Sequence, residues 1–222
     1  MEIYNNKYLD ELSGAYSFLP SSSLIELLNL FKEQFNNGQE LDSAIELGCG
    51  GGFLLNSVDL STEFEGLEIS KAAVEYLRER YENKVYQSDI LSFSSSKSWD
   101  LVLDAHLLHC LIGLDDFKKY FQVVERLLNH GGHLLLEVMC HSRAMEFDAG
   151  QFFDNESSIL YSGERPIRTI LTSREIEQII IESGLKIVYL RVDENIKFIP
   201  NSHRSESRPS DPDRLRVICL KE

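Results

Sequence analysis

At 222 residues the chain has the size of one domain, and 43% apolar with 26% charged residues is an ordinary globular balance. Thirty-six Asp and Glu against 22 Lys and Arg give a net charge of −14, which repels phosphate backbones and argues against nucleic acid as a partner. No run of about 18 uncharged apolar residues offers a membrane span; Met1–Asn6 lacks the parts of a secretion signal, and four cysteines without a C-x-x-C pair point to reduced thiols in the cytoplasm.

Residues 1–39 read as a helical cap. Tyr4, Tyr8 and Tyr16 precede a helix whose Leu24, Leu27, Leu28 and Phe31 fall at i, i+3, i+4 and i+7. Ser21–Ser23 offers its cap and Asn37-Gly38 its stop. Ala44-Ile45-Glu46-Leu47 is a first strand that runs straight into Gly48-Cys49-Gly50-Gly51-Gly52, with a short helix expected over 53–58. Glycine in such a turn adopts positive φ and leaves bare backbone for a ligand, and the helix start adds positive potential. A dinucleotide turn needs G-x-G-x-x-G. Counting from Gly48 and Gly50 puts the bulky Phe53 at the third place, with Gly52 one residue early. Glu46 suits a cationic ammonium or sulfonium better than a pyrophosphate.

A second strand over 64–70 ends on Glu68, 22 residues after Glu46, where a β-α-β unit delivers a carboxylate to ribose hydroxyls. Ser70 caps the next helix, Lys71 to about Glu82, with Val74, Leu77 and Tyr81 on its inner face. Lys84–Ile90 is a third strand with Asp89 at its end, and Trp99–Asp104 a fourth. A helix over 115–128 buries Phe117, Tyr120, Phe121, Val124, Leu127 and Leu128. The turn Asn129-His130-Gly131-Gly132 leads into a fifth strand, Leu134–Met139. Residues 140–171, with Gly150, Phe152-Phe153, Gly163 and Pro166, read as an irregular, lid-like insertion. Thr172 or Ser173 caps a helix by the S/T-x-x-E rule, with Glu175 as the reciprocal acid. Lys186–Val192 and Leu215–Leu220 are strands six and seven. The Pro/Ser-rich segment between them is too short for a crossover helix, so a hairpin makes the last strand antiparallel.

In register, Glu46-x-Gly48-x-Gly50-x-Gly52, the acids Glu68 and Asp89, and the Asn129–Gly132 turn resemble the motifs of class I S-adenosylmethionine-dependent methyltransferases over about residues 40–140. The turn departs from that family's Lys-Pro-Gly-Gly connection in its first two residues. The resemblance implies an α/β, Rossmann-like single domain over 1–222: a seven-stranded, mostly parallel sheet with an antiparallel last strand and helices on both faces. It implies S-adenosyl-L-methionine as cofactor, held at the turn by Glu46, Gly48, Cys49, Gly50 and Gly52. Glu68 would meet the ribose, Asp89 the adenine, and Asp104 and Ala105 the methionine part, with Ile69, Ser70 and Ile90 also in contact with the cofactor.

His106-Leu107-Leu108-His109-Cys110 follows the fourth strand and Met139-Cys140-His141 ends the fifth. Adjacent strands would bring these groups together. They read as a base or orienting pair, since imidazole titrates near neutral pH. They could also be packing alone, and a soft-metal site through Cys110 and Cys140 is the weaker third reading. No metal-ligand spacing supports that third reading, so no metal is assigned and His106 and His109 are the candidate catalytic residues. The expected activity is methyl transfer to a small-molecule acceptor; the alternative is a regulatory module that binds the cofactor without catalysis. The acidic balance and Phe152-Phe153 suggest a neutral or cationic acceptor with an apolar body.

Overall fold

The structure of the protein, a computed structural model, describes residues 22–36, 41–52, 62–142, 145–194 and 212–222. The tyrosines of the N-terminal cap, the short helix expected over 53–58 and most of the loop before the last strand lie outside the described residues.

The central sheet takes β1 (Ala44–Leu47), β2 (Phe64–Glu68), β3 (Val85–Gln87), β4 (Trp99–Asp104), β5 (Leu128–Cys140), β9 (Lys186–Asp193) and β10 (Asp213–Leu220). Their order across the sheet is β3-β2-β1-β4-β5-β10-β9. Pairs from β3 through to β5 are parallel, and β10 runs antiparallel to both β5 and β9. β1 is buried along its whole length, as a strand covered on both faces must be. Leu47 at its end is level with Leu67 of β2 and Asp104 of β4. The loops that leave β1, β2 and β4 therefore open at the same edge of the sheet, where open α/β sheets bind ligands.

One face of the sheet is covered by α1 (Ser22–Gln34), whose Leu24, Leu27, Leu28 and Phe31 pack on Ala44, Leu101, Leu103, Leu135 and Ile218. The other face carries α3 (Leu114–Leu127) and α4 (Ser173–Glu182), with Phe117, Phe121, Ile176 and Ile180 meeting Val102, Leu136 and Val217. Between β2 and β3, α2 (Lys71–Arg80) is capped by the Ser70 hydroxyl, which accepts the Ala73 N–H at 3.3 Å. No helix among the described residues is long and apolar enough to cross a membrane.

Two stretches differ from the sequence reading. Asn129–Gly132 is the bulged beginning of β5, where Gly131 N–H donates to Lys221 and Lys221 N–H to Gly132. The insertion at 140–171 is ordered: β6 (Gln151–Asp154), β7 (Ile159–Ser162) and β8 (Arg165–Thr169) form a three-stranded antiparallel meander. Its hydrogen bonds explain the order. Asp154 takes the Glu156 N–H at 3.1 Å and the Ser157 hydroxyl at 2.6 Å in the first turn, and Phe152 stacks on Tyr161 with ring centroids 4.9 Å apart. The meander is tied to the domain where Thr169 Oγ1 accepts the Gly113 N–H at 2.8 Å and the Leu171 carbonyl accepts the His141 N–H at 2.9 Å.

Candidate active site

The glycine turn is shaped by its neighbour strand. Gly48 and Gly50 have φ of +66° and +57°, the left-handed region that favours glycine. A Cβ on Gly48 would lie 2.9 Å from Leu107 Cδ1, so the turn and the loop after β4 touch through bare backbone. Glu68 closes the turn onto β2: one oxygen accepts the Gly50 N–H at 2.9 Å and the other the Ser70 N–H at 2.7 Å. Cys49 packs inward on Val74, Leu77 and Val85. Burial, and then the negative Glu46 and Glu68 beside it, push its thiol well above the ordinary range, so it carries no nucleophilic thiolate.

The three acids of the sequence reading sit on β1, β2 and just after β3, which are neighbours in the sheet. They are not equivalent. Glu46 lies within β1 between Gly66 and Leu103 and is buried. Glu68 ends β2. Asp89 is exposed and caps the 3-10 turn Ile90–Ser92, its Oδ1 accepting the Leu91 N–H at 2.9 Å.

A cavity of roughly 430 Å3 opens at this edge. Gly48, Glu68, Ile69, Asp89, Ile90, Ala105, His106 and His109 line it, while Glu46, Cys49, Gly50, Gly52, Ser70 and Asp104 are not among its lining residues. Its volume falls in the range of small-molecule sites. The lining mixes apolar Leu107, Leu111 and Ile112 with these polar groups.

The loop after β4 is held by Asp104, which is wholly buried. Its Oδ1 accepts N–H bonds from His106 at 2.8 Å and Leu107 at 2.7 Å; its Oδ2 accepts from Leu108 at 3.0 Å and from the Tyr120 hydroxyl at 2.7 Å. Burial raises the Asp104 carboxyl above the usual range even against these donors. The bonds hold His106 at a φ of +146°, a strained conformation for a side-chain-bearing residue. His106 Nε2 lies 2.9 Å from Glu137 Oε1 on β5, and Glu137 Oε2 lies 3.2 Å from Arg216 Nε on β10. Glu137 and Arg216 are buried at 1% and 4% exposure. An imidazole in the cavity wall is thus fixed from behind by a buried carboxylate, which a buried guanidinium holds in turn.

His109 is more enclosed, at 2% exposure, and its Nδ1 is 3.5 Å from the Met139 N–H. The two imidazoles sit with centroids 5.7 Å apart. Cys110 shares the cavity wall. Cys140 and His141 do not join this group. Cys140 is buried in the core, its thiol pushed up to about 12 by burial first and Asp213 second, and the His141 ring packs on Phe153 at 5.7 Å. Among the described residues no three His, Cys, Asp or Glu side chains are arranged to hold a metal. Sequence reasoning missed Glu137 and Arg216 behind His106, and Asp116, Met139 and Arg168 in the cavity wall. The one available signal was a charged residue inside each of two apolar strands, at Glu137 and Arg216, since a buried charge is rare without a partner.

Residues 45–136, from β1 through most of β5, match the family model of a methyltransferase domain. The fold is similar to that of an S-adenosylmethionine-dependent methyltransferase from Clostridium acetobutylicum, at 16% identity and a TM-score of 0.67, covering 98% of this chain and 99% of that one. It is similar also to a TehB-like S-adenosylmethionine-dependent methyltransferase from Corynebacterium glutamicum, at 13% identity and a TM-score of 0.61, with 100% of both chains covered. The N-methyltransferase NodS from Bradyrhizobium japonicum, in complex with S-adenosyl-L-homocysteine, aligns at 15% identity and a TM-score of 0.59, covering 90% of this chain and 85% of its own. At such identities the structural likeness is one of fold. No curated protein matches the chain. Residues 45–136, which hold the motif-bearing strands, thus match a methyltransferase domain, and S-adenosylmethionine is the cofactor that this match supports. The glycine cradle at Gly48, the carboxylates of Glu68 and Asp89 and the cavity volume fit that molecule.

Proposed function

We propose that this enzyme methylates a small-molecule acceptor bound at the β4–β5 end of the cavity, with the cofactor's adenosyl part over β1, β2 and β3. Gly48 offers backbone contact, Glu68 accepts from the ribose hydroxyls and Asp89 from the adenine amino group, while Ile69, Ile90 and Ala105 supply apolar wall. Gly50 and Ser70 hold the Glu68 carboxylate and Asp104 holds the loop after β4, so these three shape the surfaces indirectly. The observation that carries the reading is His106, held by Glu137 at 2.9 Å in the wall of the same cavity that Glu68 and Asp89 line.

When bound, the sulfonium supplies an electrophilic methyl group and leaves as a neutral thioether. The chain then has three tasks: to align the acceptor, to exclude water, and to take a proton where the acceptor arrives protonated. His106 takes that proton, and the carboxylate of Glu137 stabilises the imidazolium that forms. His109, packed beside it, orients the ring and the acceptor. The meander β6–β8 covers the acceptor end as a lid, supported by the place of Arg168 in the cavity wall. The four free cysteines, three of them buried, fit a cytoplasmic setting.

The test follows isotope-labelled methyl groups from the cofactor into a low-molecular-weight cell extract. Label is expected in a small molecule, with His106→Ala reducing turnover by about 10²- to 10⁴-fold at unchanged cofactor affinity. Label appearing in macromolecules alone, or an undiminished rate in the variant, would contradict the proposal.

A further inference from the structure

We infer that the acceptor is an organic acid whose carboxylate is gripped by Arg168; this rests on the reading of the β4–β5 end as the acceptor site. Arg168 lies on β8 opposite Leu160. The next residue, Thr169, is wholly buried and takes the Gly113 N–H, so the backbone that carries the guanidinium is anchored. The side chain lines the cavity, and its Nη1 is 3.9 Å from the thioether sulfur of Met139. That sulfur is a weak acceptor for a group with five N–H donors. Asp116, Asp89 and Glu68 line the same cavity, yet Arg168 forms no ion pair among the described residues. In a chain with 36 acids and 22 bases, this guanidinium in the cavity wall meets a thioether and, among the described residues, no carboxylate.

A guanidinium presents its donors as a planar fork that matches a carboxylate with two parallel hydrogen bonds. Its position favours the acceptor over the ribose. Met139 is on β5, three strands from β2 in the sheet, so about 14 Å separates it from the Glu68 end at roughly 4.8 Å per strand. The apolar Leu107, Leu111 and Ile112 in the same wall suit an acid with an apolar body. A carboxylate neutralised by arginine is a poor nucleophile, so it serves as the handle and the methyl goes to another atom of the acceptor, beside His106. The net acidity of the sequence suggested a neutral or cationic acceptor; Arg168, the guanidinium among the described residues of the wall, favours an acid instead.

The cofactor also carries a carboxylate, and calorimetry with S-adenosyl-L-homocysteine, benzoate and benzamide separates the two sources. Benzoate is expected to bind the homocysteine-loaded wild type at least tenfold more tightly than benzamide. Arg168→Gln should abolish that preference while changing S-adenosyl-L-homocysteine affinity less than twofold, and Arg165→Gln, on the exposed part of the same strand, should leave the preference intact. Absence of a preference in the wild type, or its survival in Arg168→Gln, overturns the inference. A tenfold loss of S-adenosyl-L-homocysteine affinity in Arg168→Gln also overturns it, by assigning the guanidinium to the cofactor. If the wild type takes up no S-adenosyl-L-homocysteine, the cofactor reading fails instead, and the benzoate and benzamide titrations repeated without it still judge Arg168. Circular dichroism of each variant distinguishes lost binding from lost folding.

Discussion

Glu137 holds His106 with one oxygen and meets Arg216 with the other, at 2.9 and 3.2 Å. Both charges of the Glu137–Arg216 pair are removed from water, so the pair is worth little relative to an apolar substitute but costly to break from one side. Glu137→Gln, however, leaves Arg216 its contact with Asp193 at 3.1 Å, so it should destabilise the fold by only about 1 kcal/mol, read by urea unfolding. It should also lower kcat more than it raises KM, because the imidazolium loses its counter-charge. An unchanged kcat would reduce Glu137 to a packing residue. The sequence offered His106 as a candidate, and its partners were not readable. Glu137 is 31 residues away and Arg216 is a further 79 from Glu137, and the pairing exists only because Arg216 falls opposite Glu137 in the β5–β10 register. Asp104 shows the same limit. It was read as a cofactor contact through side chain or backbone, and nothing in the sequence signalled that its carboxylate takes three backbone N–H groups and the Tyr120 hydroxyl.

The helices and the long strands were readable because each carries a strong local signal. The Leu24-Leu27-Leu28-Phe31 stripe became the buried face of α1, and Thr172-x-x-Glu175 became a reciprocal cap, with the Glu175 N–H donating to Thr172 Oγ1 at 3.2 Å and the Thr172 N–H to Glu175 at 2.8 Å. Thr172→Ala should cost about 1 kcal/mol in chemical denaturation and leave methyl transfer unchanged. A loss of activity at full stability would instead mean that α4 positions the site. The meander was missed for a physical reason. Its strands are four or five residues long, two-sided in polarity, and β8 contains Pro166, which demotes a strand to an edge. The Gly163-Glu164 pair between β7 and β8, with Gly163 at φ +59°, was the available hairpin signal.

Across the whole molecule, the topology brings residues from distant parts of the sequence to one edge. β1, β2 and β4 end level, which sets the glycine turn, Glu68 and His106 around one cavity. β10, last in the chain, is inserted between β5 and β9, where Arg216 reaches Glu137. The antiparallel last strand was legible because connection length restricts how strands can be joined, while the order across the sheet was not read from the sequence. The part of the meander in the cavity was not legible either, since it enters through a single side chain, Arg168. Calorimetric titration of S-adenosyl-L-homocysteine into the wild type, Asp89→Ala and Glu68→Gln tests the placement of the cofactor over β1 to β3 most directly. One-to-one binding on the order of micromolar affinity is expected, weakened about tenfold by Asp89→Ala and at least as much by Glu68→Gln. Binding by the two variants indistinguishable from that of the wild type would contradict that placement.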